Sequence, residues 1–215
     1  MFPTSRLQFS CWITVVCALA ALSTSCGSSS NISQAQAQAI SHEVVTATEA
    51  AVTAAIPASS AAERRAHPSL ANVVKALRPD QLSGCTTSGS SESCNWPINY
   101  TGPCPDGGTI GVVGDLSITL DSSGSGSNAF SLAVTPTNCG VQSDLTVNGS
   151  VQLSTTVNFA DDQIAYPVDF LEKGGLTYGP HPSGSCTVNV TYTINSATSC
   201  TVSGTMCGQS LSGDC

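Results

Sequence analysis

Charge is scarce in this chain. Only 9% of its 215 residues are Asp, Glu, Lys or Arg, where about 25% is usual. Cations are scarcest: 6 Lys and Arg stand against 14 Asp and Glu, for a net charge of −8. Reading nucleic acid needs a clustered basic surface, so no nucleic-acid partner is expected. The composition is also unlike a charged disordered tail. Aromatics are 5% of the chain and histidines number three. No apolar run reaches the about 20 residues that a membrane-spanning helix needs. There is no C-x-x-C pair of the kind zinc sites use, and no G-x-S-x-G elbow of the serine hydrolases. The Asp121–Asn128 stretch lacks the ligand spacing of a calcium loop. No metal or other cofactor is expected.

What the chain has in excess is cysteine, glycine, serine and threonine. It opens on a weakly basic segment ending at Arg6, then an apolar run from Cys11 to Leu22 broken only by Thr14. A basic start and a short apolar core are the pattern of a secretory signal. The run ends in Leu22-Ser-Thr-Ser-Cys26, followed by Gly27 and three serines. Small residues before a Cys resemble the lipobox of bacterial lipoproteins, with Leu22 one place earlier than the usual lipobox leucine. The resemblance covers residues 1–26. It implies removal of residues 1–25, lipidation of Cys26 by acyl chains such as palmitate, and attachment to the cell envelope. Gly27, where an Asp would favour the inner membrane, implies the outer membrane. The alternative is cleavage near Ala18-Leu19-Ala20 and free secretion. Lipidation of Cys26 leaves eight cysteines, an even number; free secretion leaves nine.

Residues 26–84 read as a lipidated N-terminus and an Ala-rich tether. Ile40, Val44, Ala47, Ala51 and Ala55 recur at spacings of three and four, one face of a helix over 33–56, with Ser33 as its cap. Leu70, Val73, Val74 and Leu77 make a second, shorter stripe after Pro68. An αα-hairpin and a loose spacer both fit. Arg64, Arg65, Lys75 and Arg78 read as a solvated face rather than a lipid-binding patch.

Residues 85–215 read as a disulfide-rich β domain. Ile110, Val112, Gly114, Leu116 and Ile118 fall at every second position, as do Leu145, Val147, Gly149, Val151 and Leu153. Cys200, Val202, Gly204 and Met206 make a shorter copy. Period two puts each set on one strand face, with a glycine at its middle where a strand bends or a neighbour comes close. Further strands are expected over 128–135, 163–170 and 186–194, with Pro167 limiting the second to an edge. Turns are expected at Asp121–Asn128, Lys173–Gly175 and Asn195–Thr198. The fold class is mainly β: an antiparallel meander, sandwich or small barrel, stapled by disulfides and preceded by a helical or flexible tether.

In an exported chain, Cys85, Cys94, Cys104, Cys139, Cys186, Cys200, Cys207 and Cys215 form four bridges. Local spacing favours Cys85–Cys94, Cys104–Cys139, Cys186–Cys200 and Cys207–Cys215. Most of the aromatics are expected in the core; as a binding candidate Trp96 to Tyr100 ranks first, read as a surface loop framed by Cys94 and Cys104. The expected function is a non-enzymatic binding or scaffolding module of the envelope, held to the membrane by its lipid. Its partner is an envelope protein, a glycan or an apolar small molecule. The alternatives are a lipocalin-like carrier of a small apolar ligand, and a hydrolase using His181.

Overall fold

The computed structural model describes residues 32–55 and 85–215, apart from positions 124, 161, 162, 182 and 215. Helix α1 runs over Gln34–Ala55. The strands are β1 (Thr86–Ser88), β2 (Ser91–Pro103), β3 (Thr109–Asp121), β4 (Gly126–Thr137), β5 (Cys139–Gln142), β6 (Leu145–Ala160), β7 (Gln163–Ala165), β8 (Val168–Pro180), β9 (Gly184–Ser196), β10 (Ser199–Met206) and β11 (Gln209–Asp214). All belong to one antiparallel sheet in the order β1-β2-β3-β4-β6-β8-β9-β10-β11, with β5 and β7 both paired to β6. The order is that of a meander, and the sheet is not closed into a barrel.

Helix α1 begins with a capping box. The Ser33 hydroxyl accepts from Gln36 N at 3.2 Å, and Gln36 Oε1 accepts from Ser33 N at 2.8 Å. These bonds satisfy two amides that the first turn leaves unpaired. The helix is rich in Val and Thr, which form isolated helices poorly, so its stability comes from the face it buries. Ile40, Val44, Ala47 and Ala51 of the predicted stripe are buried, with Ala37, Val45 and Val52 beside them. This face lies on the sheet and shares one apolar core with it. α1 meets β2, β3, β4 and β5 on one side and β11 on the other. Gln209 Nε2 donates to Ile32 O at 2.8 Å, tying the helix start to β11. The open sheet thus curls around α1, and each aliphatic side chain buried between them contributes about 1.5–3 kcal/mol.

The period-two sets lie on the concave face as expected. Ile110, Val112, Leu116 and Ile118 are buried on β3, and Leu145, Val147, Val151 and Leu153 on β6. Gly149 has φ +127°, and a Cβ there would stand 2.5 Å from Gly175 O. Only a glycine lets β8 come this close to β6.

Three expectations about the strands are corrected. Lys173, Gly174 and Gly175 form no turn; they lie within β8, paired to Gln152, Val151 and Ser150 of β6. A side chain at Gly174 would run into Ser150 O, so the glycine pair serves strand contact rather than chain reversal. The segment 163–170 is not one edge strand. Pro167 falls in the break between β7 and β8, so its missing N–H costs β8 no ladder bond, and β8 pairs on both sides. Residues 96–100 form no loop; they lie inside β2, fully paired to β3.

The bridges are Cys85–Cys94, Cys104–Cys139 and Cys186–Cys207. The first two match the spacing argument. Cys186–Cys207 replaces the expected Cys186–Cys200, and with it Cys207–Cys215, because β9 and β10 form a hairpin. Met206 pairs with Val188 and Cys200 with Ile194. Cys186 is therefore beside the far end of β10, and Cys200 is near the turn. At about 3.3 Å per residue, the eight residues from 186 to 194 hold them some 26 Å apart. Cys200 is also disulfide-bonded. Disulfides of this kind belong to an oxidising compartment outside the cytoplasm. No described helix is long and apolar enough to cross a membrane.

Candidate functional site

The concave face carries one charged residue in an otherwise apolar row. Strand register sets Ile98, Gly114, Leu132, Leu153, Glu172, Val190, Gly204 and Leu211 side by side across the sheet. Glu172 is at the centre of this row on β8 and has no exposed surface. Tyr192 of β9 donates its hydroxyl to Glu172 Oε2 at 2.8 Å. The same hydroxyl bonds Ser41 of α1. A polar chain therefore runs from the helix through β9 to β8 in the middle of the core. Glu172 Oε1 is buried with no partner, and so are both amide atoms of Asn128 on β4. Burial raises the Glu172 carboxyl to about 7, against which the Tyr192 bond is the smaller effect. Burial and the neighbouring Glu172 also push the Tyr192 hydroxyl well above its usual range. Lys173 is the only Lys or Arg among the described residues, and it is exposed on the opposite face.

The convex face is different in kind. Ser, Thr, Asn and small side chains predominate there, with Asp115, Gln152, Asp169 and Lys173 among them, and hydroxyls pair across strands as Thr109 with Thr137, Thr119 with Ser127, Thr177 with Ser185, Thr191 with Ser203 and Thr193 with Thr201. Val113 is the one large hydrophobic exposed among the described residues. Over β3, β4 and β6 this face forms an open depression of about 490 Å³, lined by Asp115, Ser117, Ser131, Ser154 and Thr156, with Ala129 as a small floor. Gln152 donates to the Ser131 hydroxyl and fixes one wall.

The residues singled out from sequence are distributed as follows. Trp96 is buried on β2 and Tyr100 is half-buried against the same core, so the disulfide-framed surface loop does not exist. Cys94 and Cys104 make the bridges expected of them, to Cys85 and Cys139, but the residues between them are strand. His181 is exposed in the turn between β8 and β9, with no Ser hydroxyl or carboxylate bonded to it among the described residues. Asp121 accepts from the Ser123 hydroxyl at 2.6 Å, Ser125 N at 3.0 Å and Ser123 N at 2.8 Å; these bonds, the hydroxyl's first, hold its carboxyl below the ordinary range and build the β3–β4 turn. Asp169 accepts from the Thr193 hydroxyl at 2.7 Å. Two groupings bring a Glu near paired sulfurs, Glu43 with Cys104 and Cys139, and Glu92 with Cys85 and Cys94. Their sulfurs are spent in disulfides and do not act as thiolate ligands. Cys26, Cys215, Asp161, Asp162, the four cations of the tether and the stripe after Pro68 lie outside the described residues.

Glu172 escaped the sequence reading, though its signal was present. Val168, Phe170, Glu172, Gly174, Leu176 and Tyr178 alternate with period two. Reading Lys173–Gly175 as a turn ended the strand just before the pattern became visible. The chain matches no protein-family model, no curated protein and no solved structure.

Proposed function

We propose that this protein is a lipid-anchored, non-enzymatic binding module of a bacterial envelope, and that its convex face takes a neutral, hydroxyl-rich glycan. The observation that supports this reading most is the depression over β3, β4 and β6: hydroxyls of Ser117, Ser131, Ser154 and Thr156 and the Asp115 carboxylate stand among its apolar lining atoms, and no Lys or Arg lines it. Such a surface offers donors and acceptors to sugar hydroxyls, whereas polyanions meet a strongly acidic chain. The anchor rests on the lipobox-like ending at Cys26. The carrier reading is less well supported, since α1 fills the concavity where an apolar ligand would sit.

The anchor is tested by the intact mass of the protein from its own membranes, alkylated without reduction. Loss of residues 1–25, an added acyl mass and no alkylation are expected. An unlipidated mass with one alkylated thiol means secretion with Cys26 free. Cys200 is disulfide-bonded, six other cysteines of the β domain pair among themselves, and Cys215 is the one left in that domain. A non-reduced digest should therefore join the peptides of Cys200 and Cys215. The glycan is tested by co-sedimentation with insoluble glycan prepared from the same envelope. Ala129→Leu fills the exposed floor without touching the core and should weaken sedimentation at least about tenfold, a loss of roughly 1.4 kcal/mol. Equal sedimentation of variant and parent would remove the depression as the site.

A further inference from the structure

We propose that α1 is a proton-controlled latch on the concave face of the sheet, closed while Glu172 carries its proton and loosened when it loses it. Three observations carry this. The helix reaches Glu172 through a single polar chain, Ser41 to Tyr192 to Glu172 Oε2. Among the described residues the second carboxylate oxygen has no donor and no cation stands on the concave face, so none of them compensates a negative charge there. The Asn128 amide on the same face is also unpartnered. Water admitted beside Glu172 would satisfy the ionised carboxylate, and α1 is the element that reaches over this face to it through Ser41. The sheet itself is held by its ladder and by disulfides within it, whereas α1 has no covalent tie to it among the described residues.

The titratable groups around Glu172 are few. From β9 there is Tyr192. From β6 the neighbour is Leu153, and from β9 also Val190; neither titrates. α1 contributes His42, which is exposed, Glu49, which is half-buried, and Glu43, which lies against the Cys104–Cys139 sulfurs and is itself raised by burial. Ionising Glu43 acts in the same direction, so a test must separate the two. Opening uncovers part of the apolar core that α1 shares with the sheet.

The experiment is amide hydrogen exchange of the intact, oxidised protein at pH 5 and pH 8, corrected for intrinsic exchange. If the open state returns Glu172 to 4.5 from about 7, the opening constant of α1 rises by about 70-fold between these pH values. Amides of Val44, Ala47 and Ala51 should lose protection by up to that factor, while those of Val190 and Leu153 hold theirs. Glu172→Gln keeps the shape and the acceptor for Tyr192, and should abolish the pH dependence; Glu43→Gln should leave most of it. The proposal fails if α1 protection does not change with pH, if Glu43→Gln and not Glu172→Gln flattens it, or if helix and sheet amides lose protection together. The last result means whole-domain unfolding without a latch. None of these outcomes depends on the anchor or the glycan.

Discussion

Urea unfolding of the oxidised protein is expected to show higher stability near pH 5 than at pH 8, opposite to the usual behaviour of a chain whose carboxylates are salt-bridged. The cause is Glu172, raised from 4.5 to about 7 by burial. A carboxyl whose folded value is raised adds stability in full below its unfolded value. That contribution is lost as the pH climbs from about 4.5 through about 7. The shift corresponds to about 3 kcal/mol over this window. Glu172 is fully buried, so solvent does not screen the effect. Asp121 acts oppositely: its lowered carboxyl adds stability that is lost only on further acidification, which places the optimum near pH 5 rather than lower. Glu172→Gln should flatten the curve between pH 5 and 8 and exceed the parent at pH 8 by about 3 kcal/mol. A parent curve that is already flat, or a variant that keeps the slope, would rule out Glu172 as the source. The charge is not suited to stability at neutral pH, which is why it draws attention as a switch.

The second large effect is removal of the Cys104–Cys139 bridge. It joins partners 35 residues apart, which in the chain-entropy model corresponds to about 4 kcal/mol. The bridges Cys186–Cys207 and Cys85–Cys94 span 21 and 9 residues, corresponding to about 3 and about 2.5 kcal/mol. Paired Cys→Ala variants, compared by urea midpoint at pH 5, should fall in that order. Both sulfurs of the first bridge are buried, Cys139 completely, so the lost packing adds to the lost constraint. The bridge also fastens the end of β2 to β5 directly under Glu43 of α1. Its loss should therefore loosen the helix seat as well as the sheet. A variant lacking Cys85–Cys94 that proves the least stable of the three would overturn the ranking.

Local pattern was enough for much of this molecule. The alternation of Ile110 to Ile118 and of Leu145 to Leu153 determined both the strands and the face they bury, because a period of two leaves only one way to hide the apolar set. The stripe from Ile40 to Ala51 and the Ser33 cap determined α1 in the same manner. Cys85–Cys94 and Cys104–Cys139 were legible because each joins cysteines that follow one another in the cysteine order. Tertiary structure decided the rest. Cys186 pairs with Cys207 and not with Cys200 because an antiparallel hairpin brings together the ends farthest apart in sequence. Lys173–Gly175 became strand because β6 and β8 need a gap for each other's backbone, a demand that no window of sequence contains. Trp96 is in the core as expected, on the same face as Cys94 and Ile98, but that residues 96–100 are strand and not loop was decided by the pairing of β2 with β3. That α1 belongs to the core was likewise undecidable locally: its stripe is equally suited to another helix or to the hollow of a curled sheet. Glu172 shows the division most clearly. Alternation determines that it faces inward, but only the assembled sheet, closed over by Ser41 and Tyr192, removes it from water and makes its charge costly.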